Sequence, residues 1–281
     1  SYFTSLGGDN QLDDDSRFDE RRTGGSLSLS RGYRGIYSTS IGLNYEDIKT
    51  VNENTAGTFI QQDGTLLKFL IQGTRDTRDV PLDPFQGDYL RLAIEPGFTN
   101  ITKIGGVVSG YPDVQGKGQF LRGTLEYKAF FSKTPKPKPG MTEEEIFKLQ
   151  TKPRPVIATR ARVGTVRGTI PFFEQFFAGG ADSLRGYDDQ RFWGRNVAMA
   201  TAELRYPIQE NFSVIGFMDY GGAWGGYGTL DTDNDGSLAD ERFTQSDKIN
   251  LKMGYGVGIG FRSPLGLIRI DFGFTPQGRS R

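Results

Sequence analysis

The chain has 281 residues, with 34 basic and 34 acidic side chains, 39 glycines, and neither cysteine nor histidine. The length fits one large barrel or two small domains, and the glycine content favours turns and closely packed strands over helices. The balanced charge gives no support for nucleic-acid binding. Lack of cysteine and histidine excludes disulfides, thiolate metal sites and the usual hydrolase triads, although catalysis by carboxylates stays open. No cofactor is predicted.

Segments of alternating apolar and polar residues recur along the whole chain. In IYSTSIGLNYE (36–46), for example, the alternate residues Tyr37, Thr39, Ile41, Leu43 and Tyr45 are all apolar or aromatic except Thr39, and 250–262 and 266–274 repeat the pattern. A strand directs such residues to one face, whereas a helix would scatter them around its axis. The pattern predicts strands near 25–32, 36–46, 66–75, 87–96, 118–131, 155–165, 196–207, 212–222, 250–262 and 266–274.

Charged residues occupy the polar face of nearly every predicted strand, as with Arg91 and Glu95 in one strand and Glu126 and Lys128 in the next. Such charges would be intolerable in the dry core of a soluble sandwich but suit a hydrated lumen. Several strands have roughly the 9–11 residues that a tilted strand needs to cross a bilayer. The sequence therefore predicts an all-β fold, an antiparallel transmembrane β-barrel of the outer-membrane type with the lipid bilayer as a partner.

The connections between predicted strands alternate in length. Those at 31–35, 207–211 and 263–266 are short, and those at 47–65, 97–117, 166–195 and 223–249 are long. Outer-membrane barrels have short periplasmic turns and long outer loops, so the long set is predicted to open outward. The segment 133–155 breaks this rule and is interpreted as a periplasmic-side insertion, with a short helix in MTEEEIFKLQ capped by Thr142.

The long loop 166–195 contains GGADSLRGYDD, which presents a single guanidinium, Arg185. The two strands that follow carry one carboxylate each on the polar face, Glu203 in AMATAELRYP and Asp219 in SVIGFMDYGG. This combination predicts a loop folded back into the polar interior and held there by Arg185. The alternatives are that Arg185 is an ordinary exposed loop residue and that Glu203 and Asp219 are lumen charges that tune a pore.

Four motifs stand in order along the chain: FFAGGADSLRGYDD, AELRYPI, FMDYGGAW and GxGFRSPLGLIRIDFGF. Together they resemble the BamA superfamily, which includes bacterial outer-membrane assembly factors, two-partner secretion transporters and mitochondrial and chloroplast relatives. RDTRDVPLDPFQGDYLRL is a weaker match, to a turn before a mid-barrel strand. The resemblance covers most of the chain and is densest from Pro171 to Phe274.

The resemblance implies a barrel of about sixteen strands, preceded by periplasmic POTRA domains. Residues 1–281 are then expected to form a partial barrel domain that lacks the first strands and the last strand. The family's sixth outer loop tucks into the lumen, with its motif arginine held by wall carboxylates. Carried over by motif, Arg185 is that arginine, Glu203 and Asp219 are its partners, and the surrounding motif residues are Gly179, Gly180, Leu184, Gly186 and Tyr187.

The resemblance also implies a function, which is not enzymatic. The expectation is an assembly factor that inserts and folds β-barrel proteins in the outer membrane of a Gram-negative-type bacterium, with a plastid outer envelope as the alternative location. The implied partners are unfolded outer-membrane client proteins, POTRA domains and accessory assembly lipoproteins. The alternative functions are a polypeptide-secreting transporter of the same superfamily, a passive porin, and a soluble all-β binding protein.

Two smaller features have two interpretations each. Asp231, Asp233 and Asp235 resemble the opening of a calcium-binding EF-hand loop, but Arg242 stands where that loop needs a glutamate, so a solvated loop is favoured over a weak calcium site. The aromatic group of Phe172, Phe173, Phe176 and Phe177 either covers the base of the loop or binds a client.

Overall fold

The computed structural model of the chain describes residues 2–3, 18–51, 61–105, 113–133, 135–226, 229–231, 242–244, 248–263 and 266–276. Most of these residues belong to one antiparallel sheet of 11 strands, in which neighbours in space are also neighbours along the chain. Its strands are β1 (Tyr2–Phe3), β2 (Phe18–Tyr33), β3 (Tyr37–Val51), β4 (Gln61–Asp76), β5 (Gly87–Gly105), β6 (Gly116–Phe131), β7 (Val156–Gly168), β10 (Asn196–Gln209), β11 (Phe212–Trp224), β14 (Lys252–Ser263) and β15 (Gly266–Phe274).

Two small hairpins lie in the connections rather than in the main sheet. They are β8 (Phe176–Ala178) with β9 (Phe192–Gly194), and β12 (Thr229–Asp231) with β13 (Arg242–Thr244). The ten strands predicted from alternation are all present, which confirms that part of the sequence analysis. Several are longer than predicted, as with β5 at 19 residues, because backbone pairing continues beyond the apolar band that the alternation marks.

The main sheet has an apolar face and a charged face. Large apolar side chains such as Leu92, Val257 and Ile270 are about half exposed on the first, which we call the outer face. The second, the inner face, carries buried charged residues, including Glu126, Glu203 and Asp219. A sheet that exposes hydrocarbon and buries charge is the inverse of a soluble protein and is what a lipid-facing wall requires. The predicted class, an outer-membrane type β-barrel wall, is therefore confirmed.

Helix α1 (Glu143–Thr151) lies in the connection between β6 and β7. The Thr142 hydroxyl accepts a hydrogen bond from the Glu145 backbone at 3.3 Å, and the Glu145 carboxylate accepts one from the Thr142 backbone at 2.8 Å. This reciprocal capping starts the helix at the predicted place. In the described part of the chain, no helix is both long and apolar enough to cross a membrane.

The connection between β7 and β10, residues 169–195, folds against the inner face and is called the inner loop here. Its base is aromatic: the Phe172 ring lies 5.6 Å from that of Phe177 and 5.7 Å from that of Trp193. Phe172, Phe173 and Phe176 are all buried, in one cluster with strand residues such as Leu66. The aromatic group therefore covers the base of the loop, the first of its two interpretations.

Candidate functional site

The tip of the inner loop is a tight turn that presents Arg185 to the wall. Gly179 and Gly180 have φ values of 122° and 89°, which side chains with a Cβ rarely adopt, and these angles reverse the chain direction. The Ser183 hydroxyl accepts a hydrogen bond from the Gly179 backbone at 2.8 Å and donates one to the Gly179 carbonyl at 2.7 Å. The turn is thus closed by its own hydrogen bonds, and the side chain of Arg185 is left for the wall.

Arg185 is bonded by three wall carboxylates. Its Nε lies 2.7 Å from Asp219 Oδ2 and its Nη2 lies 2.7 Å from Asp219 Oδ1, a bidentate pair, and its backbone N–H also donates to Asp219. Its Nη1 donates to Glu203 at 2.8 Å and to Asp271 at 3.0 Å. We call these four residues the arginine site. The structure thus brings together the three residues that the sequence analysis singled out as a group.

The arginine site is enclosed and apolar on one side. The Arg185 guanidinium carbon lies 3.5 Å from the centre of the Phe217 ring, and only 7% of Arg185 and 1% of Asp219 are exposed. Burial by itself lowers the pKa of Arg185, but the hydrogen bonds and charge of Asp219 and the charge of Glu203 outweigh it, so the pKa lies above its ordinary value. Arg185 is therefore permanently charged, and its attraction to the carboxylates is strengthened by the exclusion of water.

Further arginines balance the remaining carboxylate charge. Arg269 donates to Glu203 at 2.9 and 3.0 Å and to Asp271 at 2.8 Å, and Arg205 donates to Glu203 at 3.1 Å. The network therefore has three guanidinium groups and three carboxylates in alternating contact. A buried network with equal numbers of opposite charges avoids the cost of an isolated buried ion.

The other motif residues seat the backbone of the loop. Leu184 is fully buried, and the Tyr187 hydroxyl donates to the Met253 carbonyl at 3.2 Å. Burial also raises the pKa of Tyr187. Gly186, with a φ of 91°, runs against β15, where a Cβ on it would lie 2.8 Å from the Phe274 carbonyl oxygen.

Wall glycines make room for this close approach. A Cβ on Gly254 of β14 would lie 2.0 Å from the Arg185 carbonyl oxygen, and one on Gly273 of β15 would lie 2.4 Å from the Gly186 nitrogen. Alternation places these glycines on the polar face of their strands, and nothing local in the sequence explains them. The structure supplies the reason, since the loop backbone lies where their side chains would be.

Sequence reasoning missed Asp271, Arg269 and Phe217 as parts of the site. Alternation places Asp271 and Arg269 on the charged face of β15, but nothing local in the sequence distinguishes them from other inner charges. Glu174, at the base of the inner loop, was not predicted as a site residue either. The structure shows that it is only 1% exposed. A carboxylate between phenylalanines in PFFEQFF was a usable signal, because a charge in an apolar run needs a partner when buried.

A second folded-in segment lies at the opposite end of the strands, where the connections are short. In the turn between β4 and β5, Asp83 accepts hydrogen bonds from Arg205 at 3.4 Å and from Arg262 at 2.6 Å. The Phe85 ring, 4% exposed, is contacted by the guanidinium groups of Arg154 at 4.3 Å and Arg262 at 5.0 Å. A cavity of about 620 Å³ separates this turn from the tip of the inner loop.

The calcium candidate lies outside the described residues at Asp233 and Asp235, while Asp231 is described only as the end of β12. Among the described residues, no group of three or more acidic, histidine or cysteine side chains is placed to hold a metal ion. The solvated loop stays the prediction for this segment, with a weak calcium site as its alternative.

The outer apolar face, the inner charged face and the loop pinned to the inner face define a membrane β-barrel protein with an inward-folded loop. Residues 1–280 match the Omp85 superfamily domain. The chain therefore belongs to the Omp85 superfamily, and the resemblance drawn from its motifs is confirmed. Its relatives are outer-membrane proteins of bacteria or of the chloroplast envelope, and this chain is an outer-membrane protein of the same kind.

The chain is similar to the outer membrane protein assembly factor BamA of Nitratidesulfovibrio vulgaris, with 24% identity over 263 residues, 85% of this chain and 27% of the relative. It is also similar to the chloroplastic outer envelope protein 80 of Arabidopsis thaliana, with 31% identity over 121 residues, 42% of this chain and 15% of the relative. Among solved structures it matches BamA from Haemophilus ducreyi lacking POTRA domains 1–3, with a TM-score of 0.61, 13% identity and coverage of 95% of this chain and 53% of that one. The last match shows the fold, and the chain spans a minor part of its curated relatives.

Proposed function

We propose that this chain is the membrane-embedded part of an assembly factor that folds and inserts β-barrel proteins into the outer membrane. The observation that carries the proposal is the similarity to a BamA, which extends over 85% of this chain. The buried arginine site adds a physical argument. A loop held inside by several charged contacts stabilises the lumen against the disturbance that client insertion imposes.

In this proposal no bond of the client is made or broken. The barrel perturbs the bilayer locally, and client strands pair with a strand edge of the barrel through main-chain hydrogen bonds. Arg185 keeps the inner loop in one conformation during this exchange. Unfolded outer-membrane proteins are the proposed clients, and POTRA domains with accessory assembly lipoproteins are the proposed partners at the short-turn end.

The test is depletion of the full-length protein in its native host, followed by restoration with the parent or with Arg185→Ala. Three quantities are measured: the amount of folded outer-membrane barrels, the amount of secreted polypeptides, and the permeability of the outer membrane to small solutes. We expect folded barrels of several kinds to fall on depletion and to recover with the parent but only partly with Arg185→Ala.

Two other results would assign a different function. Loss of one secreted polypeptide with normal levels of folded barrels would identify a secreting transporter and overturn the proposal. A change confined to solute permeability would identify a passive channel. Reconstitution in liposomes gives an independent measurement, in which the parent protein should accelerate folding of a urea-unfolded barrel client.

A further inference from the structure

The inner loop has a second buried ionic contact, at its base, with the opposite polarity to the arginine site. There the loop supplies the carboxylate, Glu174, and the wall supplies the cations. Glu174 Oε1 lies 3.0 Å from Lys68 Nζ and 4.0 Å from Arg22 Nη1, and Oε2 lies 3.0 Å from Arg122 Nη2. We call these four residues the glutamate site. Its centre is as dry as that of the arginine site, because the Glu174 side chain is only 1% exposed.

Aromatic side chains of the loop complete the glutamate site. The Arg22 guanidinium carbon lies 5.4 Å from the centre of the Phe173 ring, and that of Arg122 lies 5.1 Å from the centre of the Phe176 ring. Arg122 also donates to the Glu174 carbonyl. The residues on either side of Glu174 thus shield its ion pairs from water, and ion pairs weaken less with salt when they are shielded in this way.

The two sites hold the loop to different parts of the sheet. Lys68, Arg122 and Arg22 come from β4, β6 and β2, whereas the carboxylates of the arginine site come from β10, β11 and β15. In sheet order, the first three strands lie on one side of β7 and the last three on the other. The inner loop, which leaves β7 and returns at β10, therefore links two groups of strands that do not pair with each other.

Opposite polarity also fixes which part of the loop goes to which wall. If Glu174 moved to the arginine site, it would face three carboxylates against only two arginines, Arg205 and Arg269. Arg185 at the glutamate site would face two arginines and a lysine against only two carboxylates, Glu20 and Glu46, which pair with Arg22. Like charges buried together are strongly unfavourable. A loop with the same charge at both points would have no such discrimination.

We propose that Glu174 is a positioning residue: it anchors the base of the inner loop to β2, β4 and β6, and its polarity, opposite to that of Arg185, sets the placement of the loop across the lumen. This inference goes beyond the proposed function, because it concerns how the loop is held and applies whatever the barrel transports or assembles. Loss of the Glu174 charge releases the base of the loop while the tip remains bound at Arg185.

The experiment measures exposure of the loop base by cysteine labelling. The chain contains no cysteine, so a single Ala178→Cys substitution gives one reactive thiol at a position that is 1% exposed when the loop is docked. The full-length protein in native outer membranes is treated with a charged maleimide, and the labelling rate is compared between variants. The labelling needs no client, so a protein that fails the assembly test still gives a result here.

We expect Glu174→Gln, which keeps the shape and removes the charge, to raise the labelling rate about tenfold or more. Glu174→Asp keeps the charge and should restore most of the protection. The matched control is Asp182→Asn, which removes an exposed carboxylate from the same loop and should leave the rate unchanged. A Glu174→Gln rate equal to that of the Asp182→Asn control, in folded protein, overturns the proposal.

A double substitution tests the pairing itself, and Lys68→Met by itself covers the case in which Glu174→Gln does not accumulate. Lys68→Met leaves Glu174 paired with Arg122 and should raise the rate less than Glu174→Gln does. If Glu174 and Lys68 act as a pair, the fold increase in labelling rate of the double variant should be smaller than the product of the fold increases of the two single variants. Independent effects, or a Lys68→Met rate equal to the parent rate, would show that the pair does not hold the loop.

Discussion

Arg185 and Asp219 form a bidentate ion pair, with both N to O distances at 2.7 Å, between the tip of a long loop and the eleventh strand of the chain. The parallel geometry of the two bonds matches the planar guanidinium to the planar carboxylate. Stacking of the same guanidinium on Phe217 fixes its orientation as well. The specific chemistry of arginine, rather than positive charge alone, is therefore what the site uses.

The first prediction concerns Arg185→Lys. An ammonium group cannot make the bidentate contact or stack as a plane, so this variant should lose nearly as much stability as Arg185→Ala, at about 1.5–3 kcal/mol for each charged hydrogen bond lost. The measurement is the temperature at which the barrel unfolds, followed by heat-dependent mobility on a gel. Arg195→Lys is the control, because that loop arginine donates a single bond, to the Gly168 carbonyl, which lysine can replace. Parent-like heat stability of Arg185→Lys would contradict the prediction.

The second prediction ranks two carboxylates of the arginine site. Asp219 is 1% exposed and accepts three hydrogen bonds from Arg185, whereas the Asp271 side chain is 17% exposed and accepts one from Arg185 and one from Arg269. Asp219→Asn should therefore cost about 3–5 kcal/mol of stability, and Asp271→Asn about 1 kcal/mol. Both are measured by the same heat-dependent mobility, with Asp47→Asn, in an exposed pair with Lys49, as a near-neutral reference. A larger effect for Asp271→Asn would show that the geometry does not set the ranking.

The third prediction concerns the space for the loop backbone. In Gly254→Ala, the added methyl group would lie 2.0 Å from the Arg185 carbonyl oxygen, so either the loop or β14 must shift. We expect lower heat stability and faster maleimide labelling of an Ala178→Cys probe, with all charges intact. Gly216→Ala, in β11, has open space around the added methyl group and should behave like the parent protein. Equal behaviour of the two alanine variants would mean that the loop does not need this space.

The fourth prediction concerns the turn between β4 and β5. Asp83→Asn removes the carboxylate that Arg205 and Arg262 share, which should loosen the turn and lower stability by about 1–3 kcal/mol. A cysteine in place of Val80, which packs against the buried cluster that contains Phe85, should then be labelled faster than in the parent background. Glu210→Gln, at an exposed position of a neighbouring short turn, is the matched control. An unchanged labelling rate at position 80 would indicate that Asp83 does not hold the turn.

Strand positions and faces could be predicted from the sequence because alternation is a local property. Each of the ten strands predicted from alternation carries its own pattern, and which residues face lipid follows from that pattern without knowledge of any neighbour. The cap at Thr142 is local in the same sense, because all its partners lie within three residues. The grouping of Arg185 with Glu203 and Asp219 needed more than local patterns, because it combined the strand faces with the resemblance of the motifs to a known family.

The class of the protein can therefore be read from local patterns and motifs: an outer-membrane barrel wall with a long loop whose arginine faces inner carboxylates. Which of the many inner charges meet depends on the folded chain. Glu174 and Lys68 are 106 residues apart, and Arg185 and Asp271 are 86 apart, so neither pair leaves a local pattern. Their meeting depends on strand register, on the curvature of the whole sheet and on glycines that admit the loop, and these arise only when all the strands pack together.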